Sequence, residues 1–117
     1  MPERERITIH DVSEEVRVTV GGITLAQSRA ALRLDETGYA PVFYLPPGDV
    51  DMTRLTESAR HSHCPYKGNA SYYTLQSDDM TVPDIAWSYR RPIDGVARIA
   101  NHIAFYRDKC EIKASEQ

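Results

Sequence analysis

Residues 61–73 concentrate the side chains of this chain that could carry out chemistry. The segment holds two of the four histidines, one of the two cysteines, a lysine and three of the seven tyrosines. Imidazoles carry protons, thiolates are nucleophiles, and ammonium groups neutralise negative charge. Because a single turn would bring such groups together, we expect a functional site in this segment.

The segment is predicted to fold as a β-hairpin whose two-residue turn is Gly68-Asn69, since both residue types tolerate a positive φ. Counting outward from that turn pairs Cys64 with Tyr73 and His63 with Thr74. Side chains alternate across a pleated strand. The face typical of a core would then carry Cys64, Tyr66, Tyr73 and Leu75. The face typical of a site would carry His61, His63, Lys67, Tyr72, Thr74 and Gln76.

The sequence allows two roles for Cys64, a packed thiol in the core or a reactive nucleophile. Adjacent residues on a strand point in opposite directions, so His63 is a poor general base for Cys64. Free cysteine is among the most frequently buried residue types, which favours a packed thiol over a nucleophile. A cation or His102 arriving from elsewhere in the fold would still activate the thiol.

Two further features of the segment concern ions. His61 and His63 have a spacing that suits two zinc ligands, but no second ligand set accompanies them, so we predict no metal site. Lys67 beside Gly68 suits a carboxylate or phosphate, because glycine lets a ligand approach the backbone. The alternative is a solvated lysine at a turn. The sequence does not identify a cofactor.

Outside the segment, an aromatic pair and an arginine are candidates for the same site. Trp87 and Tyr89 lie two residues apart on a predicted strand and share a face, either in the core or along a pocket. Arg33 lies between Leu32 and Leu34 and is predicted to point away from the core. It would add a cation at the rim of the pocket.

Composition and charge exclude several classes of protein. The chain has 14 basic and 17 acidic residues and a net charge of −3, which argues against nucleic-acid binding and a polybasic membrane anchor. Its amino terminus lacks the apolar run of a signal peptide, and no segment has the length of a membrane span. We therefore expect a cytoplasmic protein in which Cys64 and Cys110 are free thiols.

The hydrophobic pattern is mainly that of strands, and residues 1–117 are predicted to form a single domain. Alternating residues on either side of Gly21-Gly22 predict a hairpin. Two short helices are expected, one capped by Asp49 and the other over Asp94 to His102. The predicted fold class is mostly β (α+β), with a single curled antiparallel sheet or a half-open barrel and two short helices.

Several stretches of the chain resemble one known family. They are His63-Cys64-Pro65-Tyr66-Lys67-Gly68-Asn69-Ala70-Ser71-Tyr72-Tyr73, Pro41-Val42-Phe43-Tyr44, Asp49-Val50 and Trp87-Ser88-Tyr89. Over about residues 16–108 the chain is similar to the DUF427 family of small bacterial and fungal proteins. The resemblance implies a β-rich domain of unknown function. The positions that it singles out are His63, Cys64, Lys67, Gly68, Tyr72 and Trp87, together with Arg33, Tyr44 and His102.

The family sometimes carries a nucleotidyltransferase label. In this chain we find no Gly-Ser pair followed by the spaced acidic residues that bind catalytic magnesium in the usual nucleotidyltransferases. The label therefore receives little support from the sequence.

Two functions from different classes agree with these observations. In the first, Lys67 and Arg33 hold a small anionic molecule, while His63 and Tyr72 supply hydrogen bonds or transfer protons. In the alternative, the domain is a protein-interaction module whose anchors are Tyr66, Tyr72, Tyr73 and Trp87. The sequence leaves open whether the protein is an enzyme. An exposed strand edge would also allow a homodimer.

Overall fold

Ten β-strands make up most of the structure, a computed structural model that describes residues 6–115. The strands are β1 (Ile7–Asp11), β2 (Glu15–Val20), β3 (Ile23–Ser28), β4 (Leu32–Glu36), β5 (Val42–Tyr44), β6 (Leu55–Cys64), β7 (Gly68–Gln76), β8 (Thr81–Tyr89), β9 (Ile103–Phe105) and β10 (Glu111–Ser115). Every pairing between these strands is antiparallel. The prediction of a mostly β fold is confirmed.

The strands form three sheets, with the orders β1-β4-β5, β10-β2-β3 and β6-β7-β8-β9. None of these sheets closes on itself within the described range. The prediction of a single sheet is therefore wrong, because the strands form three. The alternation of side chains shows which face of a strand is buried, but it does not show which strand lies beside it.

Short 3₁₀ helices replace the two predicted helices. They span Pro47–Asp49, Met52–Arg54 and Asp94–Ile99 in the described part of the chain. The carboxylate of Asp49 accepts a hydrogen bond from the Ser28 hydroxyl at 2.7 Å and does not cap a helix. The third helix has a kink at Val96, where φ is −125°. Helices of this kind rarely extend beyond one turn, because their hydrogen bonds are poorly aligned.

The β2–β3 hairpin turns where the sequence predicts. Gly21 and Gly22 have φ values of 55° and 84°, which a residue with a side chain adopts only with strain. β10 then adds to the other edge of β2. Within residues 6–115 we find no helix with the length and apolar character that crossing a bilayer requires.

The four-stranded sheet contributes side chains to two separate hydrophobic clusters. One cluster includes Tyr73 and Leu75 of β7 and packs with the β10-β2-β3 sheet. The other includes Ala70 and Tyr72 of the same strand and packs with the β1-β4-β5 sheet. Successive residues of β7 alternate between the clusters, so both faces of the β6-β7-β8-β9 sheet are covered. We call this sheet the central sheet. The candidate site lies beside the second cluster.

Candidate functional site

The β6–β7 hairpin turns earlier than the sequence predicts. The amide of Lys67 donates to the carbonyl of Cys64 at 3.1 Å, which closes a tight turn with Pro65 at its second position. Proline favours that position because its ring fixes φ near the required value. Cys64 consequently pairs with Gly68, not with Tyr73, and the predicted register is wrong.

The observed register changes which side chains share a face. Ser62 lies opposite Ala70, and its hydroxyl is 2.8 Å from the Tyr72 hydroxyl. Cys64 is therefore on the same face as Tyr72, whereas the sequence predicted opposite faces. His63 is exposed on the other side, where its Nδ1 lies 2.7 Å from Asn69 Oδ1. The structure separates His63 from Cys64, as expected, but also from Tyr72.

A cavity of about 390 Å³ lies between the β1-β4-β5 sheet and the central sheet. Its volume falls in the range of small-molecule sites. Six of the seven tyrosines and the only tryptophan line it, namely Tyr39, Tyr44, Tyr66, Tyr72, Tyr89, Tyr106 and Trp87. Cys64 and Lys67 line it as well, so the cysteine and lysine of the sequence motif meet the aromatic residues here.

Three charged side chains meet at one part of this cavity. The Lys67 ammonium donates to Glu36 Oε1 at 2.7 Å and to Cys64 Sγ at 3.6 Å. Arg6 lies 3.6 Å from the other Glu36 oxygen, and its guanidinium stacks 4.0 Å above the Tyr66 ring. Two cations against one carboxylate leave this group with one positive charge. We call Arg6, Glu36 and Lys67 the charged triad.

Tyr44, Tyr89 and Tyr106 of the cavity wall have raised pKa values and are neutral phenols at physiological pH. Burial raises the pKa of Tyr44 and of Tyr89 far above the usual value. Burial, together with a hydrogen bond to Tyr72, raises the pKa of Tyr106 to about 12. Trp87 Nε1 donates to the Tyr44 hydroxyl at 3.3 Å. The wall therefore offers hydrogen bonds and apolar surface without adding negative charge.

Three residues that the sequence assigned to ligand binding lie outside the cavity or take another role. Arg33 forms a two-bond ion pair with Asp35, on the face of β4 opposite Glu36. His102 Nδ1 lies 3.0 Å from the Ala100 carbonyl oxygen. At Gly68, with φ of 119°, an added Cβ would lie 3.4 Å from the Arg91 carbonyl oxygen, so this glycine accommodates the backbone of its neighbours.

Sequence reasoning missed Arg6, Glu36 and Tyr106. The alternation along the strand could have identified Glu36. It lies two residues after Leu34 and four after Leu32, so its side chain is on the same face of the strand as these two leucines. Arg6 had no such signal, since its contact with Glu36 depends on the pairing of β1 with β4. Long-range strand pairing brings Arg6 and Glu36 to Lys67, and Tyr106 lines the same cavity beside Trp87.

The four aromatic anchors predicted for a protein-interaction surface do not form an exposed patch. Tyr72 and Tyr73 are buried, and Trp87 is half-buried. The exposed tyrosines are Tyr39 and Tyr66, at 68% and 48%, and both line the cavity. Among the described residues there is no group of three or more His, Cys, Asp or Glu side chains placed to hold a metal ion.

Residues 8–116 match a family described as a domain of unknown function, DUF427. The match covers nearly the whole chain and confirms the resemblance carried by the motif around Cys64. No curated protein matches the chain. The family description names no reaction.

Proposed function

The chain belongs to the DUF427 family, and we propose that the cavity binds a small organic molecule with a negatively charged group. The observation that supports this proposal is the position of the charged triad at an aromatic-lined cavity. The ligand's anionic group would lie beside Arg6 and Lys67. Its apolar or aromatic body would lie between the tyrosine rings and Trp87.

The aromatic wall suits a ligand with a planar or apolar body. Trp87 packs against Tyr106 with ring centroids 4.5 Å apart and meets Tyr44 edge to face at 6.3 Å. Such contacts fix the rings, so little side-chain entropy is lost when a ligand binds. The phenol groups provide hydrogen bonds that orient the ligand within the cavity.

The charged triad suits an anion because one of its two cations is not neutralised. Among residues 6–115, Glu36 is the single carboxylate that lines the cavity, and it lies between Arg6 and Lys67. Arg6 Nε is buried and has no hydrogen-bond partner within residues 6–115. A carboxylate or phosphate near this guanidinium would supply an acceptor, and charge-assisted bonds of this kind are among the stronger ones.

This proposal relocates the anion site that the sequence suggested. Lys67 and Tyr72 remain in it, whereas Arg33 and His63 do not line the cavity. Proton transfer by His63 therefore has no part in the proposal. The burial of the aromatic side chains favours ligand binding over the protein-interaction module. Most of their surface faces inward and is not available to a protein partner.

Binding can be tested with two probes that share a phenyl body and differ in their head group, the anionic hydrocinnamate and the neutral hydrocinnamyl alcohol. The fluorescence of Trp87, the only tryptophan, reports occupancy. We expect the acid to bind more tightly than the alcohol, and Arg6→Gln to weaken binding of the acid about tenfold. Arg33→Gln is the matched control, since Arg33 is paired with Asp35 outside the cavity. Equal affinity for both probes would contradict an anion site.

A further inference from the structure

We propose that Cys64 undergoes thiol–disulfide exchange with small disulfides that carry a carboxylate. This inference rests on the proposed ligand site and names the class of molecule that it takes. The charged triad would hold the carboxylate, and the sulfur of Cys64 would attack the disulfide bond in the cavity.

Cys64 differs from an inert buried thiol in its surroundings. Cys64 is half-buried and lines the cavity. Its Sγ accepts a hydrogen bond from the Lys67 ammonium, with Nζ and Sγ 3.6 Å apart. The thiolate is the nucleophilic form of cysteine, and the Lys67 ammonium is placed to donate a hydrogen bond to this sulfur. Lys67 is held in place by Glu36, so this cation stays beside the sulfur without having to be ordered.

Among the described residues, the cavity lining has no histidine, the side chain that most often carries protons in acyl transfer. Each of the four histidines belongs to the described part of the chain, and none of them lines the cavity. Hydrolysis of an ester or amide normally needs such a group to protonate the leaving atom. Disulfide exchange does not, because the leaving thiolate departs as an anion.

The exchange balances without a further oxidant. The Cys64 thiolate attacks one sulfur of the small disulfide, the bond between the two ligand sulfurs breaks, and a new bond joins Cys64 to the ligand. The electron pair of the broken bond leaves with the second sulfur as a small thiolate. Cys64 is thereby oxidised and the departing thiol is reduced. A free low-molecular-weight thiol reverses the reaction.

Cys110 is not placed to resolve the mixed disulfide. It packs against the other hydrophobic cluster, and its thiol donates to the Tyr106 carbonyl at 3.2 Å. Burial raises the pKa of Cys110 to about 11, which keeps the thiol protonated at neutral pH. Cys110 therefore serves as an internal reference for an unreactive cysteine.

The test uses three disulfides of similar size and different charge: dithiodipropionate, bis(hydroxyethyl) disulfide and cystamine. The rate of adduct formation at pH 7.5, about one pH unit below the ordinary thiol value, is followed by intact mass. We expect dithiodipropionate to react about tenfold faster than the neutral disulfide, and cystamine to react slowest. Peptide mapping should locate the adduct at Cys64, and Cys64→Ser should abolish it. Adduct mainly at Cys110, or equal rates for all three reagents, would overturn the proposal.

Two variants separate the effects of the two cations. Lys67→Met should slow all three reagents about tenfold or more, and dithiodipropionate most, because it removes the donor to the sulfur and also one of the two cations of the triad. Arg6→Gln should remove most of the preference for the anionic reagent and leave the neutral reagent nearly unchanged. Because the Arg6 side chain is partly exposed, we expect Arg6→Gln to fold. If Lys67→Met does not fold, the charge preference of the reaction can still be tested with Arg6→Gln. His63→Asn is the control and should change none of the rates.

The test also distinguishes this inference from the ligand site on which it rests. If hydrocinnamate binds but no reagent modifies Cys64 in the native protein, the exchange proposal is wrong and the anion site stands. If Cys64 reacts quickly without charge preference and hydrocinnamate does not slow it, both the anion site and the proposed disulfide class are wrong.

Discussion

At the scale of single residues, Lys67 has the most unusual environment. Its side chain is only 11% exposed and is paired with an equally buried Glu36. Removing one member of a buried ion pair is costly because the other charge remains without its partner. Arg6 still lies near Glu36, so we expect Lys67→Met to lower the free energy of unfolding by about 2 kcal/mol, less than for a fully isolated pair. Urea unfolding measures the change.

Lys113 provides the control for this prediction. Its pair with Glu111 is 70% and 63% exposed, and exposed pairs contribute little to stability. Lys113→Met should therefore change the free energy of unfolding by less than about 0.5 kcal/mol. Similar losses in the two variants would show that the burial of Lys67 does not matter.

The buried Cys110 thiol should make the stability of the fold depend on pH in the alkaline range. Its pKa is raised from 9.0 to about 11 by burial, so the folded protein holds this proton more tightly than the unfolded chain does. The resulting stabilisation is fully present below pH 9 and is lost as pH rises toward 11. We expect Cys110→Ser to have a shallower loss of stability across this window.

The comparison is made by urea unfolding at several pH values, with Cys64→Ser as the matched thiol variant. Buried Tyr44 and Tyr89 contribute a fall of the same sign in every variant, because their pKa values are also raised. An identical pH dependence in wild type and Cys110→Ser would contradict the role assigned to this thiol.

Five of the residues selected from the sequence come together in the structure. Lys67, Cys64, Tyr72, Tyr44 and Trp87 line one cavity, although the predicted register had placed Cys64 on the face opposite Lys67 and Tyr72. The triad partners are Arg6, which directly precedes β1, and Glu36 of β4, and both are far from Lys67 in sequence. Contacts of that kind depend on how sheets pack, which one sequence does not reveal.

At the scale of elements, the turn between β6 and β7 decides which residues reach the cavity. Gly68 adopts φ of 119°, and its missing side chain lets it pack against Arg91 and Pro92. We expect Gly68→Ala to lower the free energy of unfolding by about 2 kcal/mol, because an L-residue is strained there. It should also weaken hydrocinnamate binding, since the turn carries Lys67.

Gly48 is the control for the turn prediction. An added Cβ at Gly48 would meet no atom within 4 Å, and its φ lies outside the positive range. Gly48→Ala should change stability by less than about 0.5 kcal/mol and leave binding intact. Equal effects of the two substitutions in urea unfolding would argue against a special role for the turn.

Sequence patterns predicted one hairpin of this fold correctly and the register of another incorrectly. The alternation around Val16 to Val20 and the Gly21-Gly22 turn were sufficient to predict β2 and β3, since local residue types determine that hairpin. The β6–β7 register was wrong because Gly68-Asn69 also has the composition of a hairpin turn. The competing signal was Pro65, which favours the second position of the turn that actually forms.

At the scale of the whole molecule, the central sheet joins the two hydrophobic clusters. Adjacent residues Tyr72 and Tyr73 of β7 contribute to different clusters, and so do Ala104 and Phe105 of β9. Disrupting one cluster would expose a face of the strands that support the other. We therefore expect the clusters to unfold together in a single cooperative transition.

Two native residues report on the clusters separately. Trp87 packs against the cluster that adjoins the cavity, and Cys110 packs against the other one. In Cys64→Ser, which leaves Cys110 as the single thiol, Trp87 fluorescence and the accessibility of Cys110 to a thiol reagent can be followed across a urea titration. We expect the two midpoints to coincide, because both clusters depend on the same four strands. An earlier midpoint for Trp87 would mean that the sheet β1-β4-β5 and its cavity open while the rest of the fold stays intact.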